Sequence, residues 1–248
     1  MPRLLALVYG VVAYLAFFAV FAASVAFVGN VGLVRGIDGG EAGAVVVSVA
    51  IDLGLVALFG VPHSIMARAW FKEAVVRVIP RAAERSTFVL VASATLGLLL
   101  WQWRPVPTTV WSVEASAVRS ALWGLSGVGV LLVVYSTFLT NHFDLFGLRQ
   151  VWLHARGRPY APIPFSERGL YRVVRHPMMV GVLLWFWATP TMSIGHLVFT
   201  AGMSAYIFVG IALEERDLAR HLGEIYVQYR GRVGRYLPSH ASQLRSRL

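Results

Sequence analysis

Residues 175–216 read RHPMMVGVLLWFWATPTMSIGHLVFTAGMSAYIFVGIALEER, and the fold turns on how this stretch is folded. Its apolar part, Met178 to Leu213, is 36 residues long, well beyond the roughly 20 that one membrane helix needs. Thr189-Pro190-Thr191 interrupts it. Proline lacks the N–H a helix requires and clashes with the preceding turn, so the run should break there and double back. A hairpin would carry Glu214 and Glu215 to the face on which His176 sits. Its first arm, about 13 residues at ~1.5 Å rise, reaches roughly 20 Å against a hydrocarbon core of about 30 Å. Two readings follow: six passes with local thinning of the bilayer, or five full spans and one short re-entrant arm.

Outside this stretch the chain is equally apolar. With 57% hydrophobic residues, 14% charged residues and a mean hydropathy of +0.66, it needs lipid around it. Earlier apolar runs occupy Leu4 to Val28, Ala44 to Met66, Phe88 to Trp103 and Ala121 to Leu139. The first exceeds the 7–15 residues of a signal-peptide core and reads as a retained helix. The expectation is an all-α polytopic bundle of five to six membrane segments, the last two a hairpin, forming one domain over residues 1–248. With the N-terminus inside and six passes, the inner segments hold 19 of the 22 basic residues; only Arg35, Arg104 and Arg119 fall outside. That places both termini and the two largest polar pieces, residues 142–177 and 214–248, on the cytoplasmic side of a bacterial-type inner membrane.

Other compositional features exclude whole classes of chemistry. There is no cysteine, so no disulfide, thiolate nucleophile or cysteine-held metal can form. Seven histidines without a His-x-x-His pair argue against a metal enzyme. The net charge of +10 comes from arginines between apolar runs, not from a basic face interleaved with aromatics, so nucleic acid is not expected. Nothing implies an obligate protein partner.

Pro177 suits the first turn of a helix, whose start can receive an anion such as a carboxylate, with Arg175 and His176 beside it. Gly181 permits close helix approach. Of the two glutamates, about 100° apart on a helix, Glu215 is expected to face inward and Glu214 water. An anion-accepting helix start beside an inward carboxylate suits a ligand that carries both a carboxylate and a positive charge, and S-adenosylmethionine is one. The structural alternative is a juxtamembrane arginine with a helix-starting proline.

Arg175-His176-Pro177, Gly181, Glu214-Glu215, Gly223, Tyr226, Tyr229 and Arg235-Tyr236-Leu237-Pro238 resemble the C-terminal half of membrane methyltransferases of the isoprenylcysteine carboxyl methyltransferase and phospholipid methyltransferase group. Upstream, the segment Asn141-His142-Phe143-Asp144-Leu145-Phe146-Gly147-Leu148-Arg149-Gln150-Val151 more narrowly resembles the methanethiol S-methyltransferases, which convert methanethiol to dimethyl sulfide. Met179 stands where the carboxyl methyltransferases usually have tyrosine. The resemblance implies S-adenosylmethionine as cofactor, His176 and Glu215 at its methionine portion or ribose, and Tyr171, Arg175, Pro177, Gly181 and Tyr229 nearby. It implies a small thiol as substrate, in a membrane lipid setting. The rival implications are methylation of a prenylcysteine carboxylate or a phospholipid amine, or a non-catalytic accessory role.

Methyl transfer to sulfur requires a thiolate aligned with the sulfonium methyl. Asp52, inside the second span, and Asn141 and His142, at the end of the fourth, are the candidates for helping the thiol lose its proton, with Tyr14, His63 and Asp144 behind them. Asp52 could instead pair with an arginine or cap a kink. His142 could simply anchor a helix end.

Overall fold

A computed structural model describes residues 1–239. Its helices are α1 (Arg3–Val28), α2 (Val45–Met66), α3 (Ala69–Val75), α4 (Arg81–Gln102), α5 (Ser116–Leu139), α6 (His142–Leu145), α7 (Leu148–Ala155), α8 (Pro177–Trp187), α9 (Ile194–Leu222) and α10 (Glu224–Arg232). Five of them, α1, α2, α4, α5 and α9, are long and apolar enough to cross a membrane. The protein is an all-helical integral membrane protein. The segment 214–248 extends past the described residues, and its part from 240 onward lies outside them.

The long apolar run breaks at Thr189-Pro190, as its composition demands, into α8 and α9. α8 has 11 residues, which rise only about 16 Å. Two departures from the sequence reading stand out. α4 begins at Arg81, seven residues before the apolar run, because Arg81, Glu84 and Arg85 are good helix formers that hydropathy does not register. Thr109–Ser112 and Thr191–Ser193 form a short antiparallel ribbon, β1 and β2, within an otherwise helical chain.

The chain folds as two compact units. The first comprises Met1–Ser112, Asn141–Ile163 and Thr191–Met203. In it α4 packs between α1 and α2, and α7 lies on α1 and α4. Gly10 allows that seat: a Cβ there would stand 2.4 Å from a Val151 methyl. Phe27, Trp103 and Phe199, each at most 2% exposed, meet edge to face with centroids 5.6–5.9 Å apart. The loop after α1 is pinned by Arg35, which donates to the carbonyls of Trp101 and Trp103, and by Asp38, which accepts from Ser193.

The second unit comprises Val113–Thr140, Pro164–Pro190 and Ser204 onward. α5 and α8 cross at two glycines, where a Cβ on Gly129 would lie 2.7 Å from the Gly181 carbonyl and one on Gly181 would lie 2.8 Å from the Gly129 carbonyl. Without lipid-excluding side chains at the crossing, backbone packing itself holds the helices together. Ser126 donates to the Trp185 carbonyl at 3.0 Å beside that contact. Near the bend, the Trp187 indole donates to the Ser204 hydroxyl at 3.0 Å, joining the arms of the hairpin. At the far end α9 passes into α10 through Gly223, whose φ of +56° only glycine adopts freely. Tyr226, Tyr229 and Val233 are buried there against Leu218, Ala219 and Leu222.

Candidate active site

Within the second unit, the hairpin returns Glu215 to the start of α8. Pro177 is the first helical residue, as its missing N–H favours, and His176 precedes it without a side-chain cap on the helix. The chain beyond α10 then folds back beside this start. Val174 and Gly234 form a parallel bridge, Arg175 N–H donates to the Gly234 carbonyl at 2.8 Å, and His176 N–H to the Arg235 carbonyl at 3.3 Å.

Glu215 is 4% exposed and three side chains converge on it. Arg175 donates to Oε1 through Nε at 2.9 Å and a terminal nitrogen at 2.8 Å. His176 Nε2 lies 3.1 Å from the same oxygen, and Arg235 donates to Oε2 at 2.7 Å. Arg175 also donates to the carbonyls of Val233 at 2.7 Å and Arg230 at 3.0 Å. A carboxylate this deeply buried is tolerable only with such compensation. Glu214, half exposed, stands 3.8 Å from His176 Nδ1. The inward and outward glutamates are therefore those expected, and Arg235, noted in the sequence only as part of the resemblance, is the partner of Glu215 that was not expected. The unanswered charge of an inward glutamate flanked by one arginine was the signal for a second cation.

Three tyrosines close the other side. Tyr229 donates to the Tyr171 carbonyl at 2.7 Å, and burial raises its pKa. Tyr171 is pushed up to about 12, by burial first and by Glu214 second. Tyr226, 1% exposed, is likewise pushed up to about 12 by burial and the Glu215 charge, and its hydroxyl has no hydrogen-bond partner among the described residues. In the sequence Tyr226 stood out only as one of the residues that carry the resemblance. Gly181 lies one turn along α8, and its closest neighbours are the α5 backbone atoms already described.

The three expected proton acceptors lie in the first unit and do not gather. Asp52, fully buried, accepts the Arg104 N–H at 2.9 Å just past the end of α4. His142 is bonded to Tyr14 Oη through Nε2 at 2.8 Å and packs on Phe146, which meets Phe88. Sixteen residues of α4 and its end, about 24 Å, separate Phe88 from Arg104, so Asp52 and His142 occupy opposite ends of that helix. Asn141, at φ +82°, caps α6 by accepting the Asp144 N–H at 3.1 Å, which uses its side chain structurally. Burial among aromatic rings lowers the His142 pKa and keeps the ring neutral.

With this geometry in hand, comparison with known proteins is informative. The family model described as NnrU protein matches residues 53–234. The chain is 47% identical over 238 residues to methanethiol S-methyltransferase of Mycobacterium tuberculosis, covering 96% of this chain and 98% of that protein. It is 45% identical over 236 residues to methanethiol S-methyltransferase 1 of Bradyrhizobium diazoefficiens, covering 95% and 83%. Nurim of Sus scrofa is 30% identical over 183 residues, 71% of this chain and 70% of that one. No solved structure matches. The chain belongs to the NnrU family of proteins. Within that family its place is among the methanethiol S-methyltransferases, which it matches along nearly its whole length.

Proposed function

We propose that this protein is a membrane methyltransferase that converts methanethiol to dimethyl sulfide with S-adenosylmethionine as methyl donor. The near-full-length identity to methanethiol S-methyltransferases carries the reading. Methylation of a prenylcysteine carboxylate or a lipid amine is not favoured by those relatives.

The residues of the second unit fit such a donor. The uncapped start of α8 offers N–H groups to a carboxylate, with Arg175 and Arg235 in surplus over Glu215, and Glu214 adds a second carboxylate 3.8 Å from His176. The Tyr226 hydroxyl, buried without a partner, is a donor in search of an acceptor. His176, Glu215 and Arg175 hold the walls, and Tyr171, Tyr229, Pro177 and Gly181 set the backbone frame. When bound, S-adenosylmethionine supplies an electrophilic methyl on a sulfonium sulfur. The substrate thiol would have to lose its proton so that its sulfur could accept that methyl, leaving S-adenosylhomocysteine as the second product. The residues of this chain contribute alignment and the exclusion of water. Of the expected proton acceptors, Asp52 accepts the Arg104 N–H, Asn141 caps α6 and His142 is bonded to Tyr14, each within the first unit. The small-thiol substrate is apolar enough to arrive through lipid; the donor arrives from the cytoplasm, with both termini on that side of an inner membrane.

Headspace detection of dimethyl sulfide after supplying methanethiol and S-adenosylmethionine to the purified protein tests the reading. No product from protein that still binds S-adenosylhomocysteine would overturn the substrate and leave the cofactor.

A further inference from the structure

Beyond Ser204, α9 shows two faces. Ile207, Ile211 and Glu215 recur at four-residue intervals and are buried. About 100° round the helix, Ala205, Phe208, Val209 and Ala212 are exposed and wholly apolar. On the next turns of this exposed face come Arg216 and Arg220. They open onto a cavity of about 460 Å³ whose lining also includes Ala212, Glu215, Arg230 of α10 and Arg235.

Four guanidinium groups thus surround one cavity, and its one carboxylate, Glu215, already belongs to Arg175, His176 and Arg235. Arg216, Arg220 and Arg230 make no side-chain ion pair with any described residue. So concentrated a positive charge calls for a multidentate oxyanion, and arginine forks match phosphate oxygens in pairs. The apolar row decides which phosphate. It ends at the cavity on a helix long and apolar enough to cross a membrane, and its alanines leave room for a chain lying alongside. A free anion has no use for that surface.

We propose that this cavity binds the phosphate headgroup of an anionic phospholipid, with Arg216, Arg220 and Arg230 on the phosphate and its acyl chains along Ala205, Val209 and Ala212. Arg235 links the two sites, holding Glu215 with one side of its guanidinium and bounding the cavity with the other.

The full-length protein in neutral detergent, titrated with dihexanoyl phosphatidylglycerol and followed by its melting temperature, tests this. A saturable rise is expected, absent with dihexanoyl phosphatidylcholine and with inorganic phosphate. Arg216→Ala combined with Arg220→Ala should weaken phosphatidylglycerol roughly tenfold or more, and the paired lysine substitutions should keep most of the affinity. Affinity for S-adenosylhomocysteine should stay unchanged in both. Equal response to phosphatidylcholine, or full reproduction of the effect by phosphate alone, would overturn the lipid assignment. A matching fall in S-adenosylhomocysteine affinity would make the arginines part of the cofactor site and overturn it too. If the alanine pair does not fold, the lipid preference of the unaltered protein and of the lysine pair decides.

Discussion

Replacing Glu215 with glutamine keeps the shape of the buried cluster and removes its only negative charge. Arg175, whose side chain is 8% exposed, is then left without its counter-ion, whereas Arg235, at 45%, turns to water at little cost. Uncompensated burial of one charge costs about 3–5 kcal/mol, and the partial exposure of Arg235 puts this case near 3. For a chain of this length that is a fall of about 6–12 °C in melting temperature, read from the fluorescence of its eight tryptophans. Adding Arg175→Met removes the stranded cation, so the double variant should recover part of the loss, with a coupling well outside additivity. A fall of less than about 2 °C in the single variant, or strict additivity in the double, would show that the carboxylate is not what binds the end of the chain to α8.

Gly181→Ala drives a methyl into the Gly129 carbonyl and should cost about 1–3 kcal/mol in thermal unfolding, while Gly210→Ala, with nothing within 4 Å, should cost nothing; equal effects would refute the close helix crossing. Tyr226→Phe removes a hydroxyl that has no partner, so the melting temperature of the ligand-free protein should hold or rise, and affinity for S-adenosylhomocysteine by calorimetry should fall about tenfold. Unchanged affinity would take Tyr226 out of the cofactor site. Because burial lowers the His142 pKa, the unfolded chain binds its proton first; stability is therefore full above the ordinary histidine value of about 6.5 and is lost as pH falls through it. His142→Gln should flatten that acid limb of melting temperature against pH, and an identical limb in the variant would contradict a buried neutral ring.

The hairpin was legible because one local rule, proline after a run too long for a single helix, decides it regardless of context. So was the inward glutamate, since adjacent residues on a helix must point apart. Arg235 was not, because it reaches Glu215 from a segment that returns by a bridge of only one residue pair, Val174 with Gly234, which leaves no periodicity to read. The partner of Asp52 was hidden for a related reason: an ionisable group in an apolar run signals a partner, and here one partner is a main-chain N–H at the end of another helix, which no side-chain pattern announces. The early start of α4 shows the limit of hydropathy, which marks where a helix is greasy and not where it begins. That Tyr226 is buried could be read only by knowing which side of α10 is covered.

The hairpin also contains its own gauge. Trp187 meets Ser204 near the bend, and His176 meets Glu215 at the open end. Ten residues lie between these ties on the descending arm and ten on the ascending one, so the rungs stay level only while both counts agree. Inserting a single residue into one arm would shift its lower rung by about 1.5 Å and swing it by about 100°, turning Glu215 away from the histidine. Matched insertions in both arms preserve the level but still rotate each rung, so only additions close to whole turns are tolerated. Length variation between relatives should therefore collect in the loops outside this interval, and the depth of the cluster below the bend should stay constant.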